Sequence, residues 1–160
     1  MNGKRVPMTV TGAKRLQEEL DRLKSVERPQ VIEAIAEARA LGDLSENAEY
    51  ESAKHRQSLI EGRIVEIEAK LAMAEIIDPK DVDAGDRVVF GATLELLNLD
   101  TDARVFYQIV GEDEADLKEG KVSVSSPVGR AMIGKSVGEE VDVETPAGRH
   151  TYEILSVRYD

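Results

Sequence analysis

Apolar residues in the first half of the chain recur at steps of three and four, the spacing of one helix face. In residues 12–41 the stripe consists of Leu16, Leu20, Leu23, Val31, Ile35 and Ala38. The step from Leu23 to Val31 is one residue longer than a heptad, and Pro29 lies within it. Because proline removes a backbone donor and clashes with the preceding turn, we predict a helix over 12–41 with a kink or short break near 25–29.

A second stretch, residues 46–75, carries a sustained stripe at steps of four, three, four and three. Its members are Ile60, Ile64, Ile67, Leu71 and Ala74. One narrow apolar stripe is typical of a coiled-coil seam, and at about 1.5 Å per residue each arm would span roughly 45 Å. A short connection centred on Gly42 would make the arms antiparallel neighbours. The pattern therefore predicts a helical hairpin that projects alone.

The period of the pattern changes after Asp78-Pro79, which ends the helical stretch. Runs rich in Val, Leu, Phe and Tyr predict strands at 86–90, 92–99, 104–110, 121–125, 140–144 and 151–159, a turn at 145–148, and short helices at 114–118 and 128–133. The predicted fold class is α+β. An antiparallel α-helical coiled-coil hairpin occupies 1–79, with an acidic tip at 42–46, and a small α+β domain occupies 80–160.

Composition narrows the classes of function. The 160 residues contain no Cys, which excludes disulfides and thiol chemistry. No run is apolar for long enough to form a signal peptide or a membrane span, so we expect a cytoplasmic protein without a membrane partner. The net charge is −11, and −8 of it falls in residues 80–160, so free duplex nucleic acid is not expected as the primary partner. The nearly balanced residues 1–79 predict an ion-paired helix surface.

Asp43 and Glu46 lie at the predicted bend and allow two interpretations. An Asp-x-x-Glu pattern at a helix start is an acidic form of the capping box, although Ser45 competes for the cap position and would leave both acids free. Alternatively, the two carboxylates supply part of an oxygen shell for Mg²⁺. Because two acids alone hold such an ion weakly, that site would need a partner molecule that supplies further ligands.

Arg39 and Lys54 lie on either side of the same bend. They would either pair with Glu49, Glu51 and neighbouring acids or contact a phosphate chain beside the acidic tip. Tyr50 would either pack against the opposite arm or stack on a base. No Ser-His-Asp order and no Gly-rich phosphate loop is recognisable, so the sequence offers no self-contained catalytic site.

Two specific runs stand out when the whole chain is considered. The first is Gly42-Asp43-Leu44-Ser45-Glu46-Asn47-Ala48-Glu49-Tyr50, and the second is Ser126-Pro127-Val128-Gly129-Arg130-Ala131-Met132-Ile133-Gly134-Lys135. Shorter runs at 7–9, 28–29, 35–39, 61–64, 90–93 and 113–116 accompany them. Together they resemble the Gre family of bacterial transcript-cleavage (elongation) factors, most closely its GreA type, over essentially the whole length of the chain.

The resemblance implies that the hairpin enters the secondary channel of RNA polymerase. The acids matching Asp43 and Glu46 would help hold the second Mg²⁺ of the polymerase active centre and orient the attacking water, so that a backtracked RNA 3′ end is cut. Arg39 and Lys54 match a small basic patch that contacts this RNA. The C-terminal domain of the family is FKBP-like and docks on the polymerase, here through Ser125-Ser126-Pro127. The resemblance also implies a cofactor of the polymerase and not an enzyme, with no metal held stably alone; a monomer is expected.

Two positions depart from the family pattern. Lys54 stands where relatives often carry Arg, which keeps the charge but loses bidentate phosphate contact. Ser125 stands where Asn or Asp is common. Two alternatives remain open: an inhibitory relative that plugs the channel without cleavage, and a free-standing chaperone or prolyl isomerase, against which the aromatic content of 4% counts because few rings could line its pocket.

Overall fold

The structure is a computed structural model that describes residues 5–42 and 47–160. The chain divides into two compact units, Ala13–Met73 and a second unit made of the residues up to Gly12 together with Ala74–Asp160. Strand β1 (Val6–Thr9) and strand β2 (Ala74–Ile77) pair in parallel and belong to the second unit. The sequence pattern assigns residues 1–79 to the hairpin. The residues up to Gly12 and those from Ala74 onward belong instead to the sheet-containing unit.

The first unit is the predicted helical hairpin. Helix α1 spans Val10–Arg22, a π-helical segment spans Leu23–Glu27, α2 spans Arg28–Ala40, and α3 spans Ala48–Met73. The buried side chains of the hairpin reproduce most of the predicted seam: Leu16, Leu20, Leu23, Val31, Ile35 and Ala38 on one arm, and Ile60, Ile64 and Ile67 on the other. Ala53 is also buried and was not predicted, Leu71 is half-buried, and Ala74 lies in β2. The predicted coiled-coil hairpin is thus confirmed, and its apolar stripe is what the two arms bury.

The π-helical segment Leu23–Glu27 is how the chain absorbs the irregular step in the seam. A π turn holds about one residue more than an α turn, which matches the one extra residue between Leu23 and Val31, and both of these side chains are buried. Pro29 follows directly and has no N–H to donate to the preceding turn. The chain therefore stays helical where a kink or a short break was predicted.

Glutamates and basic residues pair across the hairpin arms. Arg28 donates to both carboxylate oxygens of Glu61 at 2.8 Å, and Arg63 donates to both oxygens of Glu19 at 2.7 and 2.8 Å. Lys24 lies 2.7 Å from Glu68. The predicted ion-paired surface is present along this part of the hairpin.

These pairs give the hairpin a pH-dependent stability. The Arg63 guanidinium lowers the pKa of Glu19, chiefly by hydrogen bonding. A carboxylate with a lowered folded-state pKa contributes stability above its unfolded pKa and loses it as the pH falls through the folded value. We expect Arg63→Gln to melt on the order of 2 °C below the wild type at pH 6, and the gap to be smaller at pH 3. Circular dichroism melts at both pH values measure this, and a gap of equal size at both would contradict it.

The second unit contains a five-stranded sheet in the order β5-β4-β3-β7-β6. Its strands are β3 (Thr93–Asn98), β4 (Arg104–Val110), β5 (Lys121–Ser123), β6 (Glu140–Thr145) and β7 (Gly148–Arg158), and helix α4 (Pro127–Met132) precedes β6. One face buries the core residues Val88, Ala92, Leu94, Leu96, Ile109, Val122, Met132, Val141, Val143 and Ile154. The α+β fold class is confirmed, including the turn between β6 and β7.

Two local predictions in this unit were wrong, and two short strands were missed. The predicted strand at 86–90 forms only an isolated bridge between Arg87 and Ser136, although Val88 is fully buried. The helix predicted at 114–118 is replaced by two 3₁₀ turns, Glu112–Glu114 and Leu117–Glu119. Strands β1 and β2 were missed because four residues are too few to show a period of two.

Among the described residues, no helix is long and apolar enough to cross a bilayer.

Candidate functional site

The end of α2 turns through Gly42, whose φ of +107° is in the region that glycine adopts most easily. Gly42 donates its N–H to the carbonyl of Arg39 at 3.2 Å, and Leu41 donates to Ala38 at 3.1 Å. These bonds satisfy two of the carbonyls that a helix end leaves open. Glycine is therefore required where the chain leaves the first arm.

Asn47 closes the other side of the connection. Its Oδ1 accepts the N–H of Tyr50 at 2.9 Å, which makes it the N-cap of α3. Its Nδ2 donates to the carbonyl of Ala38 at 2.8 Å, so one side chain joins the two arms. The capping role considered for Asp43 or Ser45 is corrected by this finding, since the cap of α3 is Asn47. Sequence reasoning missed Asn47, although Asn is among the best N-cap residues.

Asp43 and Glu46, the two predicted catalytic acids, lie outside the described residues. In the sequence they lie between Gly42 and Asn47. The described start of α3 has its N-cap in Asn47. Within the part of the chain that the structure describes, no group of three or more His, Asp or Glu side chains could hold a metal ion.

Arg39 and Lys54 meet at a shallow groove of about 270 Å³ on the hairpin, lined also by Ile32, Ile35, Ala36 and Gln57. The Arg39 guanidinium lies 5.9 Å from the centroid of the half-buried Tyr50 ring, within cation–π distance. Lys54 Nζ donates to Gln57 Oε1 at 3.3 Å. Both cations are exposed.

Within the described parts of the chain, Arg39 and Lys54 do not form the ion pairs that were considered from the sequence. Ion pairs of Arg39 and Lys54 with Glu49 and Glu51 were one interpretation, and over residues 5–42 and 47–160 the structure forms none of them. The contact with Arg39 favours packing over base stacking as the role of Tyr50. The structure therefore brings together the two predicted RNA-contact residues and leaves their charge available to an anion.

The predicted docking residues Ser125, Ser126 and Pro127 form the start of α4. Ser126 is the N-cap: its Oγ accepts the N–H of Gly129 at 3.1 Å and donates to the carbonyl of Ser123 at 2.6 Å. Pro127 occupies the first turn, where its missing N–H costs nothing. The three residues are thus held as one preorganised turn.

Ser125 is exposed, and its hydroxyl donates to Glu112 Oε1 at 2.8 Å. This bond brings a carboxylate from a separate 3₁₀ turn beside the docking residues. Glu112 was not identified from the sequence, because nothing local relates positions 112 and 125.

Gly129 lets the start of α4 lie close to the backbone of residues 123 and 124. A Cβ at position 129 would overlap the Ser123 carbonyl oxygen and lie 3.0 Å from the Val124 backbone.

Another polar cavity, of about 250 Å³, lies in the second unit beside Thr9 and Glu114. Glu114 accepts the N–H of Thr9 at 2.9 Å and that of Gly111 at 3.1 Å, and it also accepts the Thr9 hydroxyl. The Thr9 hydroxyl in turn accepts the N–H of Gly12 at 3.1 Å. The hydrogen-bonding groups of Thr9 and Glu114 are occupied by one another and by the neighbouring backbone, so we assign these residues a structural role.

Comparison with known proteins gives matches over both parts of the chain. The family model "Transcription elongation factor, N-terminal" matches residues 6–76, and "Transcription elongation factor, GreA/GreB, C-term" matches residues 83–159. Transcription elongation factor GreA of Alkalilimnicola ehrlichii is 58% identical over 97% of this chain and 98% of the relative. The protein of the same name from Neisseria meningitidis serogroup B is 57% identical with the same coverage. A solved structure, GreA factor homolog 1 (Gfh1) of Thermus thermophilus, is 26% identical over 97% of this chain and 99% of that chain, with a TM-score of 0.44.

Proposed function

This chain belongs to the GreA/GreB family of transcription elongation factors, and from that premise we propose that it stimulates RNA polymerase to cleave backtracked RNA. It is a transcription elongation factor, and the family acts with RNA polymerase. The proposal is that the factor supplies side chains to the active centre of the polymerase and performs no reaction alone. It would act in the cytoplasm as a monomer.

The observation that carries the proposal is the construction of the hairpin end. Two long arms are locked by cross-arm ion pairs and by the Asn47 side chain, and the connection between them carries Asp43 and Glu46. A narrow rod can enter a channel, because the apolar seam of the described arms is already buried between them. The two carboxylates would therefore be delivered into the active centre of another molecule.

Asp43 and Glu46 would act on the reacting water and on the metal that the polymerase holds. Together they would share a Mg²⁺ ion with the polymerase, and this ion supplies the charge stabilisation that phosphodiester cleavage needs. A carboxylate can also accept a proton from the attacking water or orient it. Because two carboxylates hold Mg²⁺ weakly, binding would require the ligands of the polymerase.

Arg39 and Lys54 would contact the phosphates of the extruded RNA. Arg39 lies three residues before Gly42 and Lys54 seven residues after Asn47, so both acids lie between the two cations in sequence. The charges of Arg39 and Lys54 are exposed and have no carboxylate partners among the described residues. Contacts to phosphate position a nucleic acid without reading its sequence. Cleavage would therefore depend on both cations for every RNA sequence.

Ser125, Ser126 and Pro127 would dock on the polymerase. Support comes from their shape: the Ser126 cap and Pro127 hold the turn rigid before any partner binds, which lowers the entropic cost of association. The role of Ser125 would be shared with Glu112, whose carboxylate it holds.

A transcript-cleavage assay tests the proposal. Polymerase complexes backtracked on a labelled RNA are mixed with the factor in the presence of Mg²⁺, and RNA length is followed. We expect a shortened RNA with a new 3′ hydroxyl that the polymerase extends when nucleotides are added. Binding without shortening would instead identify an inhibitory relative, and the absence of binding to polymerase would overturn the proposal.

A further inference from the structure

The two cations of the groove differ from three cations that pair across the hairpin arms. Lys24, Arg28 and Arg63 each contact a glutamate on the opposite arm within 2.8 Å. Arg39 and Lys54 instead have neutral neighbours, an aromatic ring and a carboxamide. The difference has a consequence for ligand binding, because a carboxylate partner competes with a phosphate for the same cation and a neutral partner does not.

We propose that Tyr50 and Gln57 are positioning residues that hold Arg39 and Lys54 ready for RNA phosphates without neutralising them. The inference deepens the proposed function and rests on it. Tyr50 lies on α3 and Arg39 on α2, so the ring fixes the guanidinium against the opposite arm. Gln57 lies one turn after Lys54 on the same helix and fixes the ammonium through its Oε1.

The chemistry of the two partners suits this role. An aromatic face attracts a guanidinium but leaves its N–H groups free to donate in the plane of the group. A carboxamide oxygen accepts one of the three ammonium protons and leaves two for phosphate oxygens. Holding the side chains in place before RNA arrives reduces the rotamer entropy lost on binding. On the proposed function, the ligand of the two cations is the phosphate chain of the extruded RNA.

The first test is Gln57→Glu, which keeps the shape of the side chain and gives Lys54 a carboxylate partner. The probe is a backtracked polymerase complex whose RNA carries 4-thiouridine at its 3′ end. We expect ultraviolet cross-linking to the hairpin and the maximal cleavage rate to fall roughly three- to fivefold. The concentration of factor that gives half the maximal rate should stay within about twofold, because docking is untouched. Gln30→Glu adds the same charge at an exposed hairpin position outside the groove and is the matched control.

The second test is a double-mutant cycle on Tyr50 and Arg39. Tyr50→Phe keeps the ring and should behave as the wild type, whereas Tyr50→Leu should lose roughly three- to fivefold in cross-linking and maximal rate. In the Arg39→Ala background, Tyr50→Leu should cause no further loss, since a positioning residue acts only through its partner. An equal further loss in that background would overturn the inference for Tyr50. Wild-type behaviour of both Gln57→Glu and Tyr50→Leu would overturn it entirely.

The proposed function can fail separately in the same assay. If Asp43→Ala cleaves as fast as the wild type, the proposed role of the tip acids is wrong, and the cross-linking comparison still reports on Arg39 and Lys54. If Asp43→Ala is inactive while the Tyr50 and Gln57 variants match the wild type, only the positioning inference fails.

Discussion

Replacing either Asp43 or Glu46 by Ala is expected to lower the maximal rate of RNA cleavage by about 100-fold or more, the usual contribution of a positioned acid–base group. Affinity for the polymerase should remain within about twofold, since docking is assigned to the other unit. The hairpin should keep its melting temperature, because Asn47 caps α3 and both acids lie outside that cap. Cleavage rates at saturating factor, competition binding and circular dichroism measure the three quantities.

The control for this prediction is Glu51→Ala, which removes one negative charge from the first turn of α3. It should cleave at nearly the wild-type rate. Asp43→Asn and Glu46→Gln keep the shape of the side chains and remove only the charge, and they should be as defective as the Ala variants. A comparable defect in Glu51→Ala would mean that net charge at the hairpin end, and not two specific carboxylates, is what the polymerase requires.

Gly129→Ala is expected to destabilise the start of α4 by about 2–3 kcal/mol and to weaken polymerase binding by about tenfold. The added methyl group would overlap the Ser123 carbonyl oxygen, which is also the acceptor for the Ser126 hydroxyl. The backbone of Ser123 and Val124 must shift to admit it, and the docking turn moves with them. Hydrogen–deuterium exchange of residues 121–133 and polymerase affinity together measure the effect.

Two variants accompany this prediction. Gly62→Ala makes the same chemical change inside α3, where a Cβ meets nothing within 4 Å, so it should stabilise the hairpin and leave binding unchanged. Pro127→Ala should weaken binding less than Gly129→Ala, because the Ser126 cap remains. Tight polymerase binding by Gly129→Ala, together with increased exchange at 121–133, would show that the docking surface lies elsewhere.

Much of the architecture could be predicted from local patterns. The seam residues from Leu16 to Ile67 were identified by spacing alone, because a helix that buries one stripe must repeat it every three or four residues. The same spacing located the irregular step near Pro29. It did not reveal that a π-helical segment absorbs the extra residue, since a kink, a break and a π turn all restore the same phase.

Contacts between distant residues could not be predicted in this way. Strands β1 and β2 pair across 68 positions of the chain, and each is too short to show its own period. Glu112 joins Ser125, and Glu114 joins Thr9, through turns whose approach depends on the whole sheet. The segment at 86–90 contains the apolar run Val88-Val89-Phe90, which is typical of a strand, and Val88 is fully buried, yet the segment forms only an isolated bridge from Arg87 to Ser136.

The candidate site shows the same difference between what local sequence predicts and what long-range contacts decide. The sequence by itself supplied the candidate residues: the acids Asp43 and Glu46, the cations Arg39 and Lys54, and the docking segment Ser125-Ser126-Pro127. Their proposed roles rest on the resemblance to the family, because spacing alone also allowed capping and ion pairing. Only the tertiary structure decided that Asn47 joins the two arms and that Tyr50 and Gln57, not glutamates, hold the two cations. The physical reason is that several acids lie within helical reach of each cation along the chain, and the packing of one arm on the other selects the partner.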